Sequence, residues 1–239
     1  MSKSYFEICR LLDSDKHHHG YSKFYERFFE RIKKSKDHVK ILELGVRYAT
    51  GTKCFNEYFE NCSITGVDII KSGNTMKFEI QNKNFNFIHA STVEKHTIKS
   101  LNGKKFDIII DDASHITGHQ IFCFKKYYEL LNPGGIYIIE DVHTSYMKLV
   151  SESKEVIEDK EMMSFRVKLP DTSVLGFTHD SGVDNPKSAV NYLKSLVDEV
   201  NCYGRASTKD ALNYKEWVNK EYASITFIKG SCIIEKFSD

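Results

Sequence analysis

Apolar residues recur along this chain in short β-branched runs, separated by stretches with helical spacing. That rhythm predicts alternating strands and helices. Residues 4–13 read as a short helix. In YSKFYERFFERIKKSK, 21–36, Phe24, Phe28, Phe29 and Ile32 share one face at helical spacing and predict an amphipathic helix. Strands are expected at 39–46, 63–69, near 86–90, at Phe106–Asp111 and at 136–140. Helices are expected between them at 51–60, 92–101 and about 117–131, the last closed by Asn132, Pro133 and Gly134. Residues 151–169 read as charged and helical in part, with Glu152–Glu161 a solvated helix face. Segment 171–186 reads as an irregular, mobile lid. A helix is expected over 187–202, with Ala189, Tyr192, Leu193, Leu196 and Val197. The closing ASITFIKGSCIIEKF reads as two strands joined at Lys229 and Gly230. This order predicts an α/β fold with a mostly parallel sheet and one antiparallel strand.

Two of the strands end abruptly in acid. FDIIIDDASH, 106–115, and GGIYIIEDVHTSY, 134–146, read as buried parallel strands that stop at carboxylates. Open α/β sheets bind ligands beyond the carboxyl ends of their strands, so Asp111, Asp112, Glu140 and Asp141 would crowd one rim, with His115 beside them. Such carboxylates repel each other unless a cation or a proton intervenes. An oxygen-ligated Mg²⁺ with a histidine nearby is the economical explanation. Duller alternatives stand beside it. Asp111 and Asp112 also suit helix capping. His115 and His119 have the spacing of a zinc pair, although the surrounding donors are hard and HExxH is absent. The triplet His17–His19 suits a solvated turn, and His143 suits either substrate contact or packing.

The segment KILELGVRYATGTKCF runs from strand to helix through an E-x-G turn, Glu43 to Gly45, with Gly51 near the helix start. Glycine permits close backbone approach there. The next strand ends in Asp68, an acid suited to a ribose diol. The dinucleotide fingerprint G-x-G-x-x-G is absent. The bulky loop Val46-Arg47-Tyr48-Ala49 leaves little room for a pyrophosphate and suits S-adenosylmethionine, which has none.

Composition changes this picture little. The 239 residues suffice for one α/β core, and 34 basic against 33 acidic residues give a net charge of +1, which offers nucleic acid no basic stripe. The six cysteines are scattered without a C-x-x-C pair, so reduced, buried thiols are expected. No apolar run reaches the roughly 18 residues of a membrane span, and no signal-peptide segment opens the chain, so a cytoplasmic location is expected.

These motifs resemble the class I S-adenosylmethionine-dependent methyltransferases. Within them the chain is most similar to the Mg²⁺-dependent sugar O-methyltransferases of the mycinamicin and tylosin type. The matching pieces are DKHHHGYSKFYERFF at 15–29, ILELGV at 41–46, ITGVDI at 64–69, FDIIIDDASH at 106–115, NPGGIYIIEDVHTSY at 132–146, and the terminal SITF and IIEK. Two departures stand out: Ala49 replaces a loop glycine, and Ala90-Ser91 replaces Gly-Asp. The resemblance implies a Rossmann-like fold with a mostly parallel seven-stranded sheet and a C-terminal antiparallel hairpin strand. It implies one methyltransferase domain over 1–239, with an N-terminal helical cap at 1–36 and a variable insertion or lid at 150–220. It implies S-adenosylmethionine and Mg²⁺ as cofactors, Asp112, Glu140 and Asp141 as metal ligands, and His115 as general base. Glu43, Gly45, Asp68 and Ser91 would line the cofactor site, with Lys16, Tyr21 and Asp111 grouped there too. Lys16, His19 and Tyr21 match a motif that closes over the active site, and His19, His143 and Tyr146 are candidates for substrate contact.

The implied activity is O-methylation of a sugar hydroxyl. The expected acceptor is a small-molecule sugar, or a nucleotide-activated hexose or heptose destined for a surface polysaccharide. The alternatives are a non-sugar diol or catechol, an antibiotic glycoside, or a non-catalytic cofactor-binding role. Neither nucleic acid nor membrane is expected as a partner, and a homo-oligomer is left open.

Overall fold

Five strands made almost wholly of apolar residues form the parallel centre of the molecule. They are β1 (Val39–Leu44), β2 (Cys62–Asp68), β3 (Phe85–His89), β4 (Phe106–Asp111) and β5 (Leu131–Ile139). The computed structural model describes residues 3–146, 187–201 and 221–238, together with the backbone of three further strands, β6 (Val156–Asp159), β7 (Ser164–Lys168) and β8 (Val174–Thr178). The hairpin β9 (Tyr222–Ile228) and β10 (Ser231–Lys236) completes the main sheet, in the order β3-β2-β1-β4-β5-β10-β9. β10 runs antiparallel to both neighbours. The expected seven-stranded sheet with its antiparallel strand is present, and it has the class I methyltransferase arrangement.

Strand alternation splits the core into two layers. Ile41, Ile64, Ile108, Ile110, Ile136 and Ile138 face α1 (Tyr5–Leu11), α3 (Ser22–Ser35) and α4 (Thr50–Tyr58). Leu42, Leu44, Ile109, Tyr137 and Ile139 face α7 (Thr117–Tyr127) and α8 (Ala189–Asn201). Burial on both faces explains why these strands are mostly apolar rather than alternating. The remaining helices are α2 (Asp15–His18), α5 (Gly73–Gln81) and α6 (Lys95–Ser100). α1 begins with a capping box in which Ser4 and Glu7 bond each other's backbone N–H.

Several expectations need correction. The buried face of α3 is Ser22, Tyr25, Phe29 and Ile32, whereas Phe24 is exposed and Phe28 only partly buried. The apolar stripe had been centred one position off, because tyrosine counts as core here. α6 starts at Lys95, not 92, and α7 stops at Tyr127, followed by a 3₁₀ turn and a strand that already begins at Leu131. Helices α2 and α5 were not expected. Where helix was expected in 151–169, the described parts are strands β6 and β7, and 174–178 of the expected lid is strand β8. These three pair antiparallel in a small separate sheet. The rest of the expected charged face and lid lies outside the described residues. Five of the six cysteines are free and buried, and Cys202 lies outside the described residues.

Candidate active site

The order β3-β2-β1-β4-β5 reverses direction between β1 and β4, which is where open α/β sheets leave a crevice. The ladder continues past the strand ends there. Asp112 N–H donates to Leu44 C=O at 2.8 Å, and Glu140 N–H donates to Asp111 C=O at 2.9 Å. This brings the acid-ended segments side by side. Gly45, at φ +89, lies so close to Asp112 that a Cβ would overlap the Asp112 carbonyl. Its glycine is therefore required by the crossing of two loops of this chain. Ala49 occupies a left-handed backbone at φ 59, a conformation that favours the glycine it replaces.

Beyond β4 and β5, one atom each from Asp112, His115 and Asp141 converge within 4.8 Å of one another. His115 Nε2 lies 3.8 Å from Asp112 Oδ1 and 3.4 Å from Asp141 Oδ2. His115 and Asp141 both hold positive φ, 55° and 54°. Strained backbone of this kind persists only where surrounding structure imposes it. Thr144 Oγ1 does so, lying 2.8 Å from the His115 carbonyl and 2.9 Å from that of Asp141. Sequence reasoning missed Thr144, since its hydroxyl acts only on backbone.

The N-terminal helices complete the site. Lys16 Nζ lies 2.9 Å from Asp112 Oδ2, and 3.0 and 3.1 Å from the two Glu140 oxygens, with Lys16 only 1% exposed. Burial alone would depress the ammonium, but the carboxylates more than offset this and hold it charged. Burial pushes the Asp112 and Glu140 carboxyls up, opposed by Lys16. Tyr21 donates to Asp141 Oδ1 at 2.6 Å, and its hydroxyl is raised by burial and by that carboxylate. His19 and His143 stand 3.7 and 3.8 Å from Asp141 Oδ1 and are half exposed.

Other expected residues are placed differently. Glu43 is buried behind the loop, accepting from Thr52 Oγ1, and burial raises it to about 8. Thr52 carried no signal of this role in the sequence. Asp68 Oδ2 accepts from Val46 N–H at 2.8 Å and Arg47 N–H at 2.7 Å, while Oδ1 accepts from Ile70 N–H at 2.8 Å. It clasps the β1–α4 loop and stays half-buried between exposed Tyr48, Ile69 and Ile70. Ser91 is half-buried past β3 and its carbonyl accepts from Thr97. Asp111 turns to the α7 face, within electrostatic range of Cys123 and Tyr137, and burial raises it to about 8. His119 is bonded to Ser114 and stands outside the converging group. Tyr146 is half exposed, with Lys194 over its ring.

A divalent cation and S-adenosylmethionine both fit this arrangement. His115 Nε2 stands 3.8 and 3.4 Å from the Asp112 and Asp141 oxygens, close to the spacing of groups gathered around one ion, which is about 3–4 Å. The carboxylates are hard oxygen donors suited to Mg²⁺ or Mn²⁺, and the imidazole stands beside them. The clasped loop, a half-buried carboxylate and exposed apolar residues around Asp68 suit a nucleoside.

A family model described as a methyltransferase domain matches residues 35–201. The chain belongs to this family. It is 28% identical over 137 residues to a tetracenomycin-rhamnose 3'-O-methyltransferase of Streptomyces olivaceus, covering 54% of this chain and 33% of that protein. It is 29% identical over 135 residues to the mycinamicin VI 2''-O-methyltransferase of Micromonospora griseorubida, again 54% and 33%. The matched part thus spans about a third of these relatives. Among solved structures, the MycE methyltransferase in complex with Mg, SAH and mycinamycin VI superimposes with a TM-score of 0.72 at 19% identity, covering 99% of this chain and 54% of that one. The PH0226 protein of Pyrococcus horikoshii matches at 0.51 and 15% identity, over 95% and 93%. These likenesses establish the fold. Among the described residues no helix is long and apolar enough to cross a membrane.

Proposed function

We propose that this chain is a metal-dependent O-methyltransferase that moves a methyl group from S-adenosylmethionine to a sugar hydroxyl of a small-molecule glycoside. One observation carries the reading: Asp112, Asp141 and His115 converge beyond β4 and β5, beside the β1 loop, in a chain of the methyltransferase family. The relatives' names support a glycoside acceptor, since they methylate rhamnosyl and mycinamicin sugars. Nothing among the described residues favours the nucleotide-linked acceptor expected from sequence.

The bound groups supply an electrophilic methyl carbon and a Lewis acid that lowers a hydroxyl's pKa. The chain supplies the rest. Asp112 and Asp141 would hold the cation, joined by Glu140, whose buried Oε1 has no hydrogen-bond partner among the described residues. The β1–α4 loop, clasped by Asp68, would hold the cofactor, to which exposed Ile69 and Ile70 would offer apolar contact. His115 Nε2 would take the proton of the acceptor hydroxyl as the methyl group passes from sulfur to oxygen. Half-exposed His19, His143 and Tyr146 offer the acceptor polar and aromatic contacts.

Methyl transfer is measured from labelled S-adenosylmethionine to rhamnosyl glycosides and to nucleotide-sugars, with Mg²⁺, with EDTA, and with Mg²⁺ restored after EDTA. The expected result is glycoside methylation that EDTA abolishes and Mg²⁺ restores. Full activity in EDTA overturns the metal requirement, and preference for nucleotide-sugars overturns the acceptor class.

A further inference from the structure

We propose that Gln120 is a positioning residue for the loop that carries Glu140 and Asp141, and that a buried water joins its amide oxygen to Asp111 and Tyr137 beneath the acidic rim. This rests on the reading of Asp112, Glu140 and Asp141 as cation ligands. Asp111, grouped by sequence with the cofactor, takes a place under the rim instead.

The Glu140 backbone is held from both sides. Its N–H donates to the Asp111 carbonyl at 2.9 Å, and its carbonyl accepts from Gln120 Nε2 at 2.9 Å. The Gln120 contact is buried and reaches across from α7, 20 residues away in sequence. Glu140 and Asp141 follow β5 directly, and Asp141 turns through left-handed φ. The two bonds on Glu140 therefore set where both carboxylates leave the backbone.

Three buried polar atoms on this side have no hydrogen-bond partner among the described residues: Asp111 Oδ2, Gln120 Oε1 and Tyr137 OH. Their residues are 3%, 2% and 0% exposed. The fold brings them together. The β4–β5 register pairs Asp111 with Ile139 and Ile109 with Tyr137, so strand alternation puts Asp111 and Tyr137 on one face. The α7 face that carries Gln120 and Cys123 is buried against them, and Asp111 lies within electrostatic range of both Cys123 and Tyr137. Buried polar atoms left dry are costly, and interior water is their usual partner, making about three hydrogen bonds. One water can donate to Asp111 Oδ2 and to Gln120 Oε1 and accept from the Tyr137 hydroxyl. Held in this way, the Gln120 amide keeps Nε2 on the Glu140 carbonyl.

Two measurements on the full chain test this. The first is Mn²⁺ affinity, read by electron paramagnetic resonance with MnCl₂ as the probe, beside S-adenosylhomocysteine affinity by calorimetry. Gln120→Met fills a similar volume without either polar atom. It should weaken Mn²⁺ by about 10-fold, the scale of a lost outer partner, and leave S-adenosylhomocysteine within about 2-fold. A merely structural role would not single out the cation. Native Mn²⁺ affinity in Gln120→Met overturns the positioning role and leaves the metal reading intact. The second is thermal melting of Tyr137→Phe. With the water in place this variant loses a buried hydrogen bond and should melt about 2–4 °C lower. A dry hydroxyl would be relieved by its removal, so an unchanged or raised melting temperature overturns the water site. If Gln120→Met does not fold, Tyr137→Phe decides both: Mn²⁺ bound about 3-fold more weakly supports the positioning role, and native affinity overturns it. Native protein that binds S-adenosylhomocysteine but no Mn²⁺ overturns the metal reading, and the positioning role with it.

Discussion

His115 sits in left-handed backbone with its Nε2 facing two carboxylate oxygens, while its buried Nδ1 has no hydrogen-bond partner among the described residues. As the base, it should be separable from folding. His115→Asn tolerates the left-handed backbone. It should fold, bind S-adenosylhomocysteine and Mn²⁺ normally, and lose about 10²–10⁴ in kcat. Loss of Mn²⁺ affinity instead would make the imidazole a ligand. Gly45 gives a second test at this scale. Gly45→Ala puts a Cβ into the Asp112 carbonyl and demands φ +89 of alanine, so a thermal melt should show destabilisation of about 3 kcal/mol or more. A native-like melt would mean the loop relaxes, and Asp112 with it.

At the scale of elements, α1, α3 and α4 meet through stacked and edge-on rings. Phe29 lies 4.8 Å from Tyr5, 5.9 Å from Phe55 and 5.6 Å from Phe59 between centroids. These contacts seat the N-terminal helices that carry Lys16 and Tyr21. Phe29→Ala should cost about 3–5 kcal/mol in urea unfolding. Phe24→Ala, on the exposed face of the same helix, should cost less than about 1 kcal/mol. Equal losses would restore the face expected from the spacing. The stripe was misplaced for a physical reason: tyrosines 21 and 25 bury their rings while finding hydroxyl partners in Asp141 and Ser231, which no local pattern reveals.

At the scale of the whole molecule, the buried acids tie stability to pH. Glu43 rises to about 8 in the folded state because burial penalises its charge. Above the unfolded pKa of about 4.3 the unfolded chain releases this proton while the folded chain keeps it. Its contribution therefore erodes stability as pH rises from about 4 toward 8, by up to about 1.4 kcal/mol per unit, and levels off above. Glu43→Gln can still accept from Thr52. Urea melts between pH 5 and 8 should show a flatter pH slope for this variant than for the native chain. An unchanged slope would mean that Glu43 stays ionised through that range, held by Lys16.

The sequence by itself determined the sheet. Apolar β-branched runs have nowhere to go but a strand buried on both faces, and the acids that end Phe106–Asp111 and GGIYIIED must then emerge at one rim. The DDxSH and EDxHTSY segments made Asp111, Asp112, Glu140 and Asp141 legible as one rim with His115 beside it, and of these the structure converges Asp112, His115 and Asp141. What each carboxylate does was decided by tertiary structure. Asp111 and Asp112 are adjacent in sequence, but strand alternation sends one to the α7 face and the other to the crevice. Asp68 is legible as an acid at a strand end, but its clasp on the Val46 and Arg47 amides needs the neighbouring loop. Strands β6 and β7 hid in a charged stretch and β8 in a segment that reads as irregular, although they pair with neighbours close in sequence. Lys16 reaches Asp112 across 96 residues and Glu140 across 124, and a buried ammonium between two acids is invisible to any local pattern. Local periodicity sets which residues are buried, whereas the pairing of charges depends on which loops the fold brings within 3 Å of each other.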